Sequence, residues 1–255
     1  MLAIDVSGSV DDNRFKLQRE GIAAALESDE LATVVAMGVN QTIEVAVIEW
    51  AEEQHVVVPW TVLHRRDEFT ALARRVRTAN RSWVHTKTDP GGGIAAAEYL
   101  LAAEPLAADR QVIDVSGDGR QNAGELDTAE ARDVAVSHAV TVNGLPITCG
   151  DEPELDTWYR ANVIGSPGSF LIVANGYEAF CCRVPTEANA GNRGVGVKLH
   201  ASLGVDARAG RRIEHKGQAQ TPAPGIDSYF TLKTQMTPPC GTLSLTPILA
   251  FASLS

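Results

Sequence analysis

Apolar positions along the chain fall into two patterns. Short runs of β-branched and apolar residues predict strands, and longer stretches with an apolar residue every three or four positions predict helices. The predicted strands are 2–6, 42–50, 56–63, 111–116, 140–147 and 170–174. The predicted helices are 12–26, 67–79, 90–101, 127–139 and a short helix containing Trp158 and Tyr159. Pro59 lacks an N–H, so its strand is expected at a sheet edge or at a bulge.

Strands and helices alternate along the chain, and this order predicts an α/β fold. We expect a Rossmann-like, doubly wound, mostly parallel sheet with helices on both faces. In such sheets, ligands bind beyond the carboxyl ends of the strands. Residues 5–9 and 117–122 each follow a predicted strand directly, so the candidate chemistry is expected there.

The composition and the charge of the sequence change after Phe180. Residues 1–180 hold 14 Lys and Arg against 28 Asp and Glu, whereas residues 181–255 hold 8 against 4 and are rich in Gly, Pro, Ala and Thr. This predicts a folded domain over 1–180 and a basic, poorly ordered tail over 181–255, for which a frameshift near codon 180 is one hypothesis. The acidic body argues against nucleic-acid binding, and no apolar run is long enough to predict a membrane span.

Cysteine and histidine spacing gives no support for a zinc site. Cys149, Cys181, Cys182 and Cys240 form no C-x-x-C pair, and the six histidines are scattered. Zinc sites in proteins usually show paired ligands at short spacing. A metal site in this chain is therefore expected to use oxygen ligands.

Oxygen-bearing side chains do follow the predicted strands. Asp5, Ser7 and Ser9 alternate along a short loop in which Gly8 permits a bend, and oxygen ligands of this kind suit a hard cation such as Mg²⁺. Asp118 follows a later strand between two glycines, and Thr88 precedes a predicted helix. Within the strands, Asp114 is expected to be structural, and Glu49 and Trp50 are expected to be packing or surface residues.

These pieces resemble the von Willebrand factor A (vWA) family. The resemblance lies in D-x-S-x-S (Asp5, Ser7, Ser9), in T-x-x-G-x-x-[LI] (Thr88, Gly91, Ile94) and in Asp118. More narrowly, stretches such as 112–119 and 163–168 are similar to DUF1194, a bacterial branch of that family. The resemblance covers about 2–180 and implies the vWA fold.

The resemblance also implies a metal-ion-dependent adhesion site (MIDAS). Ser7 and Ser9 would bind Mg²⁺ or Mn²⁺ directly, Asp5 and Asp118 directly or through water, and Thr88 according to the ligand state. The remaining coordination position would take an Asp or Glu carboxylate from a protein partner. Thr86 is an alternative to Thr88, because 83–89 departs from the family's usual glycine-rich approach to this threonine.

The family resemblance implies export to the periplasm or the cell exterior. The sequence nevertheless begins at its first strand, without a signal peptide. A start assigned too late or a truncated gene is one hypothesis, and a cytoplasmic location is expected if Met1 is the genuine start.

Two other function classes remain open at this stage. Asp5 is also placed as it would be in a phosphoryl-transfer enzyme of the haloacid dehalogenase type, but that chemistry requires a second carboxylate two residues later, where this chain has Ser7. No G-x-S-x-G or Walker A motif occurs, so we expect a binding module and not an enzyme. A metal-free scaffold with a degenerate site is the other alternative.

Overall fold

The structure, a computed structural model, describes residues 1–82, 87–104, 108–148, 152–177 and 179. Its strands are β1 (Leu2–Asp5), β2 (Ile43–Trp50), β3 (Gln54–Leu63), β4 (Gln111–Gly117) and β5 (Val140–Pro146). Its helices are α1 (Asp12–Leu26), α2 (Asp29–Met37), α3 (Arg66–Thr78), α4 (Pro90–Ala102), α5 (Thr128–Ser137) and α6 (Leu155–Asn162). The predicted tail 181–255 and all four cysteines lie outside the described residues.

The five strands form one sheet in the order β3-β2-β1-β4-β5. β1 pairs in parallel with β2 and β4, and β5 pairs in parallel with β4, whereas β3 runs antiparallel to β2. The prediction of a mostly parallel α/β sheet is therefore confirmed. Because β1 is central and pairs Asp5 with Trp50 and Ile4 with Ser116, the carboxyl ends of β1 and β4 lie side by side.

Each face of the sheet is covered by helices. On one face, the side chains of Ile22 and Leu72 pack with Ile4 in a core supplied by α1, α2 and α3. On the other face, Ile94 and Tyr159 pack in a core supplied by α4, α5 and α6. The burial of apolar side chains on both faces explains why the strands read as nearly continuous apolar runs.

The edge strand β3 contains Pro59, as its sequence predicted. The register between β2 and β3 shifts between Val45 and Val47 and again between Val47 and Ile48. An edge strand with an irregular register tolerates a residue that cannot donate a backbone hydrogen bond. None of the described helices is long and apolar enough to cross a membrane.

One predicted element is wrong and one observed element was not predicted. Residues 170–174 do not form a continuous strand but make two isolated bridges, Leu171 with Gly144 of β5 and Ala174 with Ile147, the residue after β5. The sequence analysis also missed α2, which buries only Leu31 and Val35 and starts at the Ser28 cap. Two apolar positions one turn apart are too few to show a helical period.

Candidate metal centre

Asp5 lies where two loops meet, the loop that follows β1 and the loop that follows β4. Its side chain is fully buried. Asp5 Oδ1 accepts a hydrogen bond from the Ser7 N–H at 2.7 Å, and Oδ2 accepts one from the Asp118 N–H at 3.3 Å. Burial and then the nearby charge of Asp118 raise the pKa of Asp5 to about 7. One carboxylate therefore connects both loops, and its ionised form is costly unless a cation lies nearby.

The hydroxyl groups of the first loop lie against Asp118. Ser7 Oγ is 3.2 Å from Ser9 Oγ, and the Ser9 hydroxyl donates to Asp118 Oδ1 at 2.5 Å. Ser7 is buried and Ser9 is exposed. The structure thus brings together Asp5, Ser7, Ser9 and Asp118, as the sequence predicted.

Thr88 lies beside the loop that follows β4 and carries Asp118. Its N–H donates to Asn122 Oδ1 at 2.8 Å, and its carbonyl accepts from the Asn122 N–H at 2.9 Å. A Cβ atom on Gly119 would lie 3.6 Å from Thr88 Oγ1. Thr88 is therefore held next to Asp118, while its alternative, Thr86, lies outside the described residues.

A cleft of about 180 Å³ opens beside the side-chain oxygens of Ser9, Thr88 and Asp118. The residues that line it are Ser9, Arg14, Thr88, Asp118, Gly119, Arg120, Asn122 and Glu152. The share of liquid volume of one water molecule is about 30 Å³, so the cleft has room for a hydrated ion and a carboxylate. The described residues contain no group of three or more His, Cys, Asp or Glu suited to a metal. The oxygens brought together here belong to the carboxylates of Asp5 and Asp118 and to the hydroxyls of Ser7, Ser9 and Thr88, a donor set that suits a hard divalent cation.

Gly117 permits a close approach between β4 and Asp5. A Cβ atom on Gly117 would lie 2.6 Å from the Tyr159 hydroxyl and 2.8 Å from Asp5 Oδ2. The Tyr159 hydroxyl is buried and has no hydrogen-bond partner among the described residues. Burial, followed by the charge of Asp5, raises the pKa of Tyr159 well above its usual value. A side chain at position 117 would therefore collide with both groups, and glycine lets β4 pass close to the Asp5 carboxylate.

Two residues that the sequence analysis missed contact Asp118. The Tyr177 hydroxyl donates to Asp118 Oδ2 at 2.9 Å, and Arg14 Nη1 lies 3.4 Å from the same oxygen. Tyr177 is buried, and the guanidinium carbon of Arg14 lies 5.5 Å from the centre of its ring. No local pattern links residues this far apart in sequence, so periodicity had no means of finding them.

Asp114, in the middle of β4, is a structural residue with a predicted pH effect. It is buried and accepts a hydrogen bond from Asn143 Nδ2 at 2.8 Å, and burial raises its pKa from 3.8 to about 6. The folded state thus binds the proton more tightly than the unfolded state, and the free energy of unfolding should fall as the pH rises between these values. Asp114→Asn should remove the part of this fall that is due to Asp114, leaving the part due to Asp5, and add roughly 2–3 kcal/mol at pH 7. Urea unfolding at pH 4 and pH 7 measures both effects, and an unchanged pH dependence in the variant would contradict them.

Comparisons with known proteins give a family and a fold. The DUF1194 family, described as a protein of unknown function, matches residues 1–186. No curated protein matches the sequence. The fold is similar to that of the SpRpn10 VWA domain, with a TM-score of 0.51 and 13% identity over 72% of this chain and 94% of that one.

The fold is also similar to that of proximal thread matrix protein 1 from the mussel byssus. The TM-score is 0.55 and the identity 13%, over 71% of this chain and 43% of that one. A second structure of the byssus protein is described as having a zinc-occupied MIDAS motif; it matches with a TM-score of 0.52 and 12% identity over 71% of this chain and 44% of that one. This chain therefore spans less than half of the byssus protein. At these identities the likeness establishes the vWA fold.

Proposed function

Because the chain belongs to the DUF1194 family and has the vWA fold, we propose that it is a metal-dependent protein-binding module. It would hold one Mg²⁺ or Mn²⁺ ion at the carboxyl ends of β1 and β4 and use that ion to capture a partner's Asp or Glu carboxylate. The zinc-occupied MIDAS motif of the byssus protein supports a divalent cation at this place in the fold.

One observation carries this proposal: oxygens from three separate segments border one cleft. Ser9, Thr88 and Asp118 line it, and Asp5 and Ser7 lie directly behind them. Ser7 and Ser9 would contact the ion, while Asp5 and Asp118 would contact it directly or through water. When bound, the ion supplies an electrophile for an incoming carboxylate, because few of its protein ligands carry charge.

The rim of the cleft carries charges of both signs. Arg14 lies 3.4 Å from Asp118 Oδ2, and Arg120 lies 3.4 Å from Glu152 Oε2. Either guanidinium could also donate to an incoming carboxylate, so the two arginines would add to the attraction exerted by the ion. From the family resemblance alone, we also propose a place in the periplasm or outside the cell.

The surroundings of Asp5 favour binding over phosphoryl transfer. Both of its oxygens accept backbone hydrogen bonds, and its side chain has no exposed surface. A nucleophilic carboxylate must reach the phosphorus of its substrate, and a carboxylate with no exposed surface is poorly placed to do so. We therefore propose no catalytic role, and a generic aryl phosphate should not be hydrolysed in the presence of Mg²⁺.

Calorimetric titration with Mn²⁺ and Mg²⁺ tests the proposal. The wild-type chain should bind one ion, and Ser9→Ala should bind it roughly tenfold or more weakly because one hydroxyl ligand is lost. Ser137→Ala is the matched control, because the Ser137 hydroxyl donates only to the Val134 carbonyl on α5. If the wild type binds neither ion, the metal-free scaffold replaces this proposal.

Acetate serves as a minimal carboxylate probe for the second part of the proposal. With Mn²⁺ bound, acetate should displace a coordinated water, and the enhancement of water-proton relaxation by the protein-bound ion should fall. Aspartate-containing peptides should act in the same way, and their amide analogues should not. Equal effects of the acid and amide peptides would contradict carboxylate capture.

A further inference from the structure

Arg81 contacts the loop that carries the predicted serine ligands. We call residues 6–10 the metal loop. Arg81 Nη2 lies 2.9 Å from the carbonyl oxygen of Val6, 3.2 Å from that of Ser7 and 2.5 Å from that of Val10. Its side chain is only 11% exposed. One guanidinium group therefore contacts three backbone carbonyls of a five-residue loop and leaves the Ser7 and Ser9 hydroxyls to their contacts with each other and with Asp118.

A buried ion pair holds the segment that carries Arg81. Arg19 of α1 pairs with Glu49 of β2, and both side chains are buried. Glu49 Oε2 accepts the Ser82 N–H at 2.8 Å, and Arg19 Nη2 lies 3.4 Å from the Asn80 carbonyl. The residues on each side of Arg81 are thus fixed to the sheet and to α1.

The carbonyls of the metal loop need a positive group. The Val10 N–H donates to the Ser7 carbonyl at 3.0 Å and closes a tight turn, and the carbonyl oxygens of Val6, Ser7 and Val10 all lie within 3.2 Å of one atom, Arg81 Nη2. These dipoles repel one another unless a donor or a cation lies among them, and a charged guanidinium is a strong donor for this purpose. Without it, the turn is expected to open and the directions of the Ser7 and Ser9 hydroxyls to change.

We propose that Arg81 is a positioning residue for the metal centre. It fixes the curvature of the metal loop through the backbone carbonyls, so that the Ser7 and Ser9 hydroxyls lie near Asp118 before an ion arrives. This inference rests on the proposed function, because it assigns Arg81 to the assembly of the same site. Arg81 itself does not contact the ion.

The test compares Arg81→Gln with a matched control, Arg132→Gln. Arg132 is 15% exposed and donates from Nη1 to the carbonyls of Ala161 and Ile164, both at 3.1 Å, so it makes the same kind of contact away from the metal loop. Both variants should lower the melting temperature to a similar degree. Only Arg81→Gln should weaken Mn²⁺ binding, by about 10- to 100-fold, as expected for groups that orient metal ligands. Arg81→Lys, which keeps the charge, should recover part of the loss.

A second readout does not depend on the metal. Amide hydrogen exchange in the metal loop should be faster in Arg81→Gln than in Arg132→Gln, measured in EDTA. Wild-type affinity in Arg81→Gln, together with lost binding in Asp5→Asn, would overturn the role of Arg81 alone. Failure of the wild type to bind either ion would overturn the proposed function and the role of Arg81 in it. Equal loss of affinity in Arg81→Gln and Arg132→Gln would reduce Arg81 to a general stabilising residue.

Discussion

Asp5→Asn is expected to abolish divalent-cation binding while leaving the fold intact. The asparagine is nearly isosteric, and its side-chain oxygen still accepts the Ser7 N–H that Asp5 accepts at 2.7 Å. It loses the charge shared by the two loops and the acceptor for the Asp118 N–H, and ligand charge strongly affects cation affinity. Calorimetry with Mn²⁺ should show a loss of more than about 100-fold.

Asp114→Asn is the matched control for Asp5→Asn. Both changes neutralise a buried carboxylate on a central strand of the sheet, but Asp114 contacts Asn143 and does not reach the cleft. The control should bind Mn²⁺ like the wild type. In EDTA, the free energy of unfolding of Asp5→Asn should stay within about 2 kcal/mol of the wild-type value, because removing a buried charge offsets the loss of the hydrogen bond from the Asp118 N–H. Retained Mn²⁺ affinity in Asp5→Asn would remove Asp5 from the ligand set.

Glu49→Leu is expected to cost about 3–5 kcal/mol in the free energy of unfolding, because it leaves the charge of Arg19 buried without its partner. The side chains of Arg19 and Glu49 are 4% and 0% exposed, so water does not replace the lost contact. The double variant Arg19→Met with Glu49→Leu should recover most of this loss, since no unpaired charge remains. Urea unfolding of both single variants and the double variant completes the cycle.

An exposed ion pair provides the comparison. Arg66 and Asp29 are in contact, but their side chains are 57% and 84% exposed. Asp29→Asn should therefore change the free energy of unfolding by less than about 1 kcal/mol. If Glu49→Leu costs no more than this, the Arg19–Glu49 pair does not hold the segment that carries Arg81.

The sequence predicted the features that depend on local pattern. Strand ends and the D-x-S-x-S spacing were readable because β1 is a continuous apolar run and its loop is short, and the parallel topology then placed Asp118 beside Asp5. These predictions needed only the rule that the carboxyl ends of neighbouring parallel strands meet. The candidate residue in each loop could therefore be named from the sequence, whereas the residue that it contacts could not.

The remaining features depend on contacts between residues far apart in the chain. Arg81 reaches the metal loop across more than 70 positions, and Tyr177 reaches Asp118 across 59. Glu49 was expected to be a packing or surface residue, but it is buried in an ion pair that a strand pattern does not reveal. A long polar side chain pairs with the groups that the tertiary fold places near it. The periodicity of the sequence therefore carries no information about such pairs.

The central place of β1 has a mechanical consequence. A partner attached through an ion at Asp5 would pull on the end of a strand that is bonded to β2 on one side and to β4 on the other. The backbone hydrogen bonds that join β1 to both neighbours would then bear the force together, in shear. They would not break one after another, as they do when a strand is peeled from the edge of a sheet. Force from a bound partner would therefore enter the domain at its central strand and not at its edge strands.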